Sequence, residues 1–268
     1  MPEEGASYCE FAQVYDALMD QVPYEEWAER IEKAISVYGV SKPERDAKDP
    51  LETERNLVLD LGCGTGTLTE LLYDKGYDMI GVDNSQAMLQ KALEKRAEGG
   101  RDILYLLQDM RELELYSTVG TVVSVCDSIN YILEEEELLT VFELVNNYLF
   151  PRGLFLFDFN TDYKYRELIG DTTIAENRED VSFIWENFYD SEEHINEYDL
   201  TLFIRDGEIY RKYEETHLQR GYEPEEVKDM LERAGLEVVS MTDADTRETV
   251  TATTGRVFVI AREQVKEV

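Results

Sequence analysis

Cysteine, histidine and proline are all scarce in this chain, and each shortage removes a class of protein. Its 268 residues hold only 3 cysteines, Cys9, Cys63 and Cys126. They are too few and too scattered for a disulfide framework, and none shows the paired spacing of a zinc site. No metal is therefore expected, and a reducing, cytoplasmic compartment fits. The 6 prolines, with no tract of repeated polar residues, give no support to a disordered or fibrous chain. No apolar run approaches the ~20 residues that a bilayer demands, and the opening MPEEGASYCEF lacks the basic-then-apolar order of a secretory signal. Neither membrane spanning nor export by such a signal is expected. Basic residues are also few, 26 against 59 acidic ones, for a formal charge of -33. That field repels phosphate backbones before any specific contact forms, so a nucleic-acid partner is not expected. Runs such as Glu134 to Glu137 also read simply as solvated surface.

What the chain does have is an orderly alternation of apolar runs. From Asn56, short strand-like segments (NLVLDLG, YDMIGVD, DILYLLQ, TVVSVCD and GLFLFDF) alternate with amphipathic ones (TGTLTELLYDKG, SQAMLQKALEKRAEGG and EEEELLTVFELVNNYL). This is the pattern of βαβ units on a mostly parallel sheet, its strands buried on both faces. After Asp158 the pattern changes. From about Thr172 to Arg220 the runs VSFIWENFYD, INEYDLTLFIRDG and EIYRKYEETHLQ are rich in β-branched and aromatic residues and read as an antiparallel insert, with a hairpin at Asp206-Gly207. A helix, EPEEVKDMLERAG, then precedes LEVVSMTD and RVFVIARE, which imply a closing hairpin. Ahead of the sheet, YCEFAQVYDALMDQVPYEEWAERIEKAI reads as two helices broken near Val22-Pro23.

The segment VLDLGCGTGTLTELL, Val58 to Leu72, carries the most chemistry. A strand runs into a glycine-rich bend and then a helix; Gly62, Gly64 and Gly66 let backbone come close to a ligand at the carboxyl end of a parallel strand. A dinucleotide fingerprint wants glycine at its sixth position, where this chain has Thr67. NAD is thereby disfavoured. Asp60, just before the bend, suits a ligand bearing an ammonium or sulfonium better than a pyrophosphate, or else braces the loop.

D-L-G-C-G-T-G followed by I-G-V-D resembles the first two motifs of class I S-adenosylmethionine-dependent methyltransferases. The resemblance implies an α/β, Rossmann-like, seven-stranded, mostly parallel sheet with a closing antiparallel hairpin, an N-terminal helical lid and a small antiparallel β insert. It implies S-adenosylmethionine as cofactor, held in part by Gly62, Cys63, Gly64 and Gly66. It places both ribose hydroxyls on Asp83, whose two oxygens can accept two bonds; Asp83 also reads as a helix cap. Asn84 and Met88 would flank the adenine, although Met88 also reads as a core residue. LLQDMREL resembles the third motif, with Asp109 for the adenine amino group and Met110 against the ring; Asp109 also reads as a cap. The fourth motif falls at Cys126-Asp127, where Asp127, Ser128, Asn130 and Tyr131 would line the methyl-transfer site. Cys126 reads better as a small buried thiol than as a nucleophile.

The segments F-A-Q-V-Y-D and P-Y-E-E-W are similar to the lid of bacterial small-molecule methyltransferases, including sugar N,N-dimethyltransferases. By that likeness Tyr15, and with it Tyr8 and Trp27, would close over the methionine end of the cofactor, unless they simply pack a helix. Methyl transfer is a direct displacement that needs alignment and exclusion of water. An amine or hydroxyl acceptor must also lose a proton, and Tyr131, Asp127 or His217 are the candidate bases; for His194 and His217 a structural role is the simpler reading. Trp185, Tyr210, Tyr213 and Arg220 of the insert are candidates for shaping the acceptor pocket.

The expected organisation is a lid over 1–50, a methyltransferase domain over 51–165 and 221–268, and an insert over 166–220. The expected function is methyl transfer to a small-molecule substrate by a monomer or homodimer. A protein or RNA methyltransferase and a non-catalytic S-adenosylmethionine-binding module are the alternatives.

Overall fold

The computed structural model describes residues 10–45, 47–264 and 266; Tyr8 and Cys9 lie outside the described residues. Two helices, α1 (Phe11–Leu18) and α2 (Tyr24–Tyr38), precede a short α3 (Pro50–Asn56). Strand and helix then alternate through β1 (Leu57–Leu61), α4 (Thr67–Asp74), β2 (Asp78–Asp83), α5 (Gln86–Gly99), β3 (Leu104–Leu107), β4 (Val119–Ser124), α6 (Glu135–Tyr148) and β5 (Leu149–Asn160). Four strands follow, β6 (Thr173–Asn177), β7 (Val181–Asp190), β8 (Ile195–Asp206) and β9 (Ile209–Arg220). The chain closes with α7 (Pro224–Arg233), β10 (Leu236–Asp243) and β11 (Arg256–Glu263).

The seven-stranded sheet has the order β10-β11-β5-β4-β1-β2-β3. The pairings β1–β2, β2–β3, β1–β4 and β4–β5 are parallel, whereas β11 runs antiparallel to both β5 and β10, which is the expected closing hairpin. The chain winds outward from β1 to β3 and then returns to β4, beside β1. Such a reversal opens a crevice at the carboxyl ends of the two strands that flank it. Both faces of the sheet are covered. Phe155, Phe157 and Phe159 of β5 pack with Phe142 of α6 and Val227 and Leu231 of α7, while Leu154 and Leu156 join Ile31 and Ile35 of α2 and Leu68 and Leu72 of α4. Each such fully buried side chain contributes about 1.5–3 kcal/mol relative to leaving it exposed, so this core holds the crevice rigidly.

Four departures from the expected elements have physical causes. Helix α3 has no apolar period; it is started by Asp49, whose carboxylate accepts from the Leu51 and Glu52 N–H groups, and by Pro50 in its first turn. Strand β3 is not buried on both faces, because it is the sheet's edge: Leu104 and Leu107 are exposed. The insert has a fourth strand, β6, whose residues are all exposed and so carry no burial pattern to read. Its hairpin turns one residue later than expected: Asp206 still pairs with Ile209, leaving Gly207-Glu208 as the loop, with Gly207 at φ 66°.

Candidate functional site

The glycine bend closes on itself and on the next strand. The N–H groups of Gly62 and Cys63 both donate to Val82 O, at 2.8 and 3.0 Å, and Gly66 N–H donates to Cys63 O at 2.9 Å. Gly62, Gly64 and Gly66 have φ of 79°, 53° and 78°, a region costly for residues with a Cβ. The three differ in what surrounds them. A Cβ on Gly62 would meet the Ser128 side chain at 2.7 Å, and one on Gly66 would meet the Tyr105 hydroxyl at 2.4 Å, whereas one on Gly64 would meet nothing within 4 Å. Gly64 alone therefore borders open space.

Asp83, at the end of β2, ties this bend to α5. Its Oδ2 accepts from Gly64 N–H at 2.7 Å and its Oδ1 from Ser85 N–H at 2.8 Å. Burial pushes its carboxyl above the usual carboxylate range, against the pull of those backbone N–H groups. Asn84 beside it is exposed, whereas Met88 is only 2% exposed. Asp60 lies beneath the bend, 1% exposed, accepting from the Thr69 hydroxyl of α4 at 2.6 Å. Burial pushes its carboxyl up to about 7. Asp60 of β1 is thus turned toward α4, the helix that follows the bend. Cys63 is likewise buried and its thiol is pushed far up by burial.

Around the crevice, Met110 and Ser128 both approach Gly62, and the Ser128 hydroxyl is 3.4 Å from Gly62 O. Asp109 caps the turn that carries Met110, accepting from Arg111 N–H at 2.8 Å, and pairs with the Arg111 guanidinium at 2.7 Å. That pairing and capping hold its carboxyl below the usual range in spite of burial. After β4, Cys126 and Asp127 take φ of 61° and 50°, two successive left-handed residues without glycine. Strain of this kind persists only where the surroundings impose it. Here Asp127 N–H donates to Asp158 at 3.0 Å, Gln219 donates to Asp127 at 2.6 Å, and Asp158 is in turn bonded to Arg256. Burial, with Asp127 close by, pushes the Cys126 thiol up to about 12, consistent with an inert thiol. Asn130 does not line the crevice: it is fully buried, and its amide donates to Asn160 O and Arg220 O.

Tyr131 and His217, far apart in sequence, come together. The Tyr131 hydroxyl is 2.6 Å from that of Tyr198 and 3.3 Å from His217 Nδ1, and the Tyr198 ring stacks on the imidazole at 4.8 Å. His194, by contrast, is half-exposed and bonded to Asp162 at 2.8 Å. Of the insert residues, Trp185 packs on Tyr198, 4.7 Å between ring centroids. Arg220 fastens the turn after β4 through Leu133 O and Glu135. Tyr210 is at the far end of the hairpin, bonded to Glu179 O and half-exposed.

Helix α1 lies across the bend. Asp16 accepts from the Thr65 hydroxyl at 2.5 Å and from Lys95 of α5 at 2.9 Å, and Thr67, also bonded to Asp16 at 3.3 Å, completes the clasp. Asp16 is the sixth residue of F-A-Q-V-Y-D, yet its role was not foreseen, because one acid among 59 carries no signal of its own. Tyr15 shares a hydrogen bond with Tyr24, whose hydroxyl is 3.6 Å from Cys126 Sγ. Trp27 packs under the Arg256 guanidinium at 4.6 Å. Among the described residues no group of three or more His, Cys, Asp or Glu could hold a metal ion, and no helix is long and apolar enough to cross a membrane.

A sheet order that reverses between β1 and β4, a glycine bend after β1 and a carboxylate ending β2 define a nucleoside-cofactor-binding α/β protein. Known proteins make the class specific. Residues 58–153 match the family model described as a methyltransferase domain. A provisionally named methyltransferase of Bacillus subtilis, YqeM, is 34% identical over 257 residues, spanning 96% of this chain and 97% of its own. The crystal structure of an S-adenosylmethionine-dependent methyltransferase from Clostridium acetobutylicum matches with a TM-score of 0.82 and 29% identity, covering 96% of this chain and 99% of that one. An amino pentose methyltransferase from Micromonospora echinaspora, with S-adenosylmethionine bound, shares the fold at a TM-score of 0.68 and 18% identity, covering 94% and 97%. The chain belongs to the S-adenosylmethionine-dependent methyltransferases, and its cofactor is S-adenosylmethionine. The crevice fits that group: the space at Gly64 is open, and the Asp83 carboxylate, which meets the backbone N–H groups of Ser85, Gly64 and Asn84, keeps acceptor capacity for a ribose hydroxyl.

Proposed function

We propose that this enzyme methylates an amine or hydroxyl of a small-molecule acceptor, with an amino sugar as the type to test first. S-adenosylmethionine, when bound, supplies an electrophilic methyl group on a sulfonium. Asp83 would hold its ribose, Gly62 to Gly66 would let it approach the backbone, and Asn84, Asp109 and Met110 would border the adenine. Tyr15 would stand at the methionine end. In this reading 1–50 acts as the lid, 51–165 and 221–268 form the methyltransferase domain, and 166–220 shapes the acceptor side.

The observation that carries the reading is the meeting of Tyr131, in the turn after β4, with Tyr198 and His217 of the insert. An amine or hydroxyl nucleophile must shed a proton, and this cluster offers an oxygen to take it and an imidazole behind that oxygen. The start of α1 and the insert strands β8 and β9 meet at this cluster, and an acceptor that must reach it between them is better compact than a folded macromolecule. The formal charge of -33 disfavours RNA. The likeness in fold to an amino pentose methyltransferase adds the choice of first probe and no more.

The test has two arms. Calorimetric titration with S-adenosylmethionine, S-adenosylhomocysteine and NAD should give heat with the first two only. Incubation with S-adenosylmethionine and a panel of amino sugars, other amines and phenols, followed by mass spectrometry, should show a gain of one methyl group in a member of the panel. Methylation confined to added protein or RNA would refute the acceptor reading.

A further inference from the structure

Behind Tyr131 and His217 lies a carboxylate at ion-pair distance from the imidazole. His217 touches the Tyr131 hydroxyl through Nδ1, and its Nε2 lies 3.4 Å from Glu215 Oε2, two residues back on the same face of β9. The side chains of His217 and Glu215 are 0% and 6% exposed. The other oxygen of Glu215, Oε1, accepts from the N–H groups of Glu10 and Phe11, each at 3.0 Å. Those are donors at the start of α1 with no partner inside the helix. One buried carboxylate therefore meets the first turn of the N-terminal helix with one oxygen and the imidazole with the other.

A carboxylate removed from water is costly unless donors meet it. The start of α1 gives Oε1 two fixed N–H groups and the positive end of a helix dipole. The ring nitrogen facing Oε2 is Nε2. A hydrogen there leaves Nδ1 of a neutral imidazole as a lone pair aimed at the Tyr131 hydroxyl. With the hydrogen on Nδ1 instead, two lone pairs would face each other across 3.4 Å at Nε2 and Oε2.

We propose that Glu215 is a positioning residue for methyl transfer: it holds His217 in the Nε2–H tautomer, and it does so while α1 is docked upon it. The inference rests on the reading of the acceptor as an amine or hydroxyl. In the step it supports, the acceptor's proton goes to Tyr131 Oη as the phenol's own proton goes to His217 Nδ1. One proton moves in net from acceptor to imidazole, and Glu215 offsets the positive charge that results. Tyr198, 2.6 Å from Tyr131, holds the phenol oxygen in line.

The tautomer can be read without turnover. The chain has 2 histidines, so the intact protein labelled with 15N-histidine gives two imidazole patterns, and His194→Gln assigns them. At about pH 8, above the ordinary imidazole range, the complex with S-adenosylhomocysteine should show His217 protonated on Nε2 and bare on Nδ1. In Glu215→Gln the amide oxygen still caps α1 but an NH2 faces the ring. The pattern should invert while affinity for S-adenosylhomocysteine stays within about twofold. Glu215→Ala removes the cap as well, and that affinity should fall about fivefold, the worth of a lost cap of ~1 kcal/mol. With an acceptor in hand, Glu215→Gln should lower kcat about 100-fold and leave KM unchanged, the scale of a lost general base. An Nδ1–H pattern in the wild-type protein, a measurement that needs no variant, overturns the proposal, and so does an unchanged pattern in Glu215→Gln. Failure of every amine and hydroxyl in the acceptor panel refutes the acceptor reading instead, by a separate measurement.

Discussion

Replacing Asp83 separates cofactor binding from folding. Its two oxygens meet the backbone N–H groups of Gly64 at 2.7 Å and Ser85 at 2.8 Å, with that of Asn84 beside them. A carboxylate has about four lone-pair sites, so acceptor capacity remains for a ribose hydroxyl. Asparagine has the same shape but only one oxygen; its NH2 must face either Gly64 N–H or Ser85 N–H, donor against donor. Asp83→Asn therefore loses the charge, one ribose acceptor and half of the brace on the bend. Hydrogen bonds to a charged group contribute about 1.5–3 kcal/mol net, so the Kd for S-adenosylhomocysteine should rise roughly 10- to 150-fold. The stability of the unliganded fold should fall by much less. Burial raises the Asp83 carboxyl, which means that the charged form is disfavoured in the fold, and a neutral side chain relieves that penalty. Calorimetric titration gives the first quantity and urea denaturation followed by circular dichroism gives the second. A folded Asp83→Asn protein that binds S-adenosylhomocysteine within twofold of wild type would refute the assignment of the ribose to this carboxylate.

Asp60→Asn should alter the pH dependence of stability. With the folded carboxyl raised to about 7 and an unfolded value of about 3.9, the folded state binds the extra proton between those limits, so the wild-type contribution is complete below the lower one and is lost as pH rises through the upper. The gap in urea stability between Asp60→Asn and wild type should therefore grow in the variant's favour from about pH 4 to 7, by at most about 4 kcal/mol, and a gap that shrinks over that range would contradict the burial argument. Gly66→Ala should destabilise the fold by at least the ~1–2 kcal/mol of left-handed strain, because the new Cβ also meets Tyr105; Gly64→Ala should carry the strain alone and lose S-adenosylhomocysteine affinity by more than its stability loss, as paired titration and denaturation curves will show. Asp16→Ala removes the clasp on Thr65 and Lys95, and about fivefold weaker S-adenosylhomocysteine binding is expected from one hydrogen bond and one exposed ion pair; faster amide exchange in α1 is the accompanying signature, and unchanged exchange would count against the clasp.

The βαβ order, the glycine bend and Asp83 were legible in the sequence because each depends on neighbours along the chain. Apolar runs mark buried strands, and closely spaced glycines mark a bend with positive φ. The relation of Tyr131 to Tyr198 and His217 spans 67 and 86 residues and could be proposed only as two separate candidates. Glu215 and Asp16 were invisible for the opposite reason: in a chain with 59 acids, an acid that meets a helix start or a threonine looks like its neighbours. Asp60, Asp109 and Met88 each had two readings, a ligand contact and a structural task. The structure gives each a structural partner or a buried position that the sequence had no means of ranking.

Helix α1 has 8 residues, too short to be stable in water on its own. Its order must come from what holds it, and part of that is the insert. Glu215 meets its first N–H groups, and at the other end Arg178, from the loop after β6, donates to Ala17 O and Leu18 O and pairs with Asp20 at 3.0 Å. Negative charge at the start and positive charge at the end both match the helix dipole. The glycine bend, through Asp16, holds the same helix from below. A helix shared in this way couples its two supports, since ordering by one lowers the cost of binding the other. Arg178→Ala touches neither the bend nor Asp83, yet it should weaken S-adenosylhomocysteine binding by about three- to fivefold, the worth of one or two carbonyl contacts and an exposed pair. Adding Asp16→Ala should then cost less than it does alone, because the helix is already loosened. Strictly additive losses in that double-mutant cycle would mean that insert and bend act on α1 independently, and the coupling argument would fail.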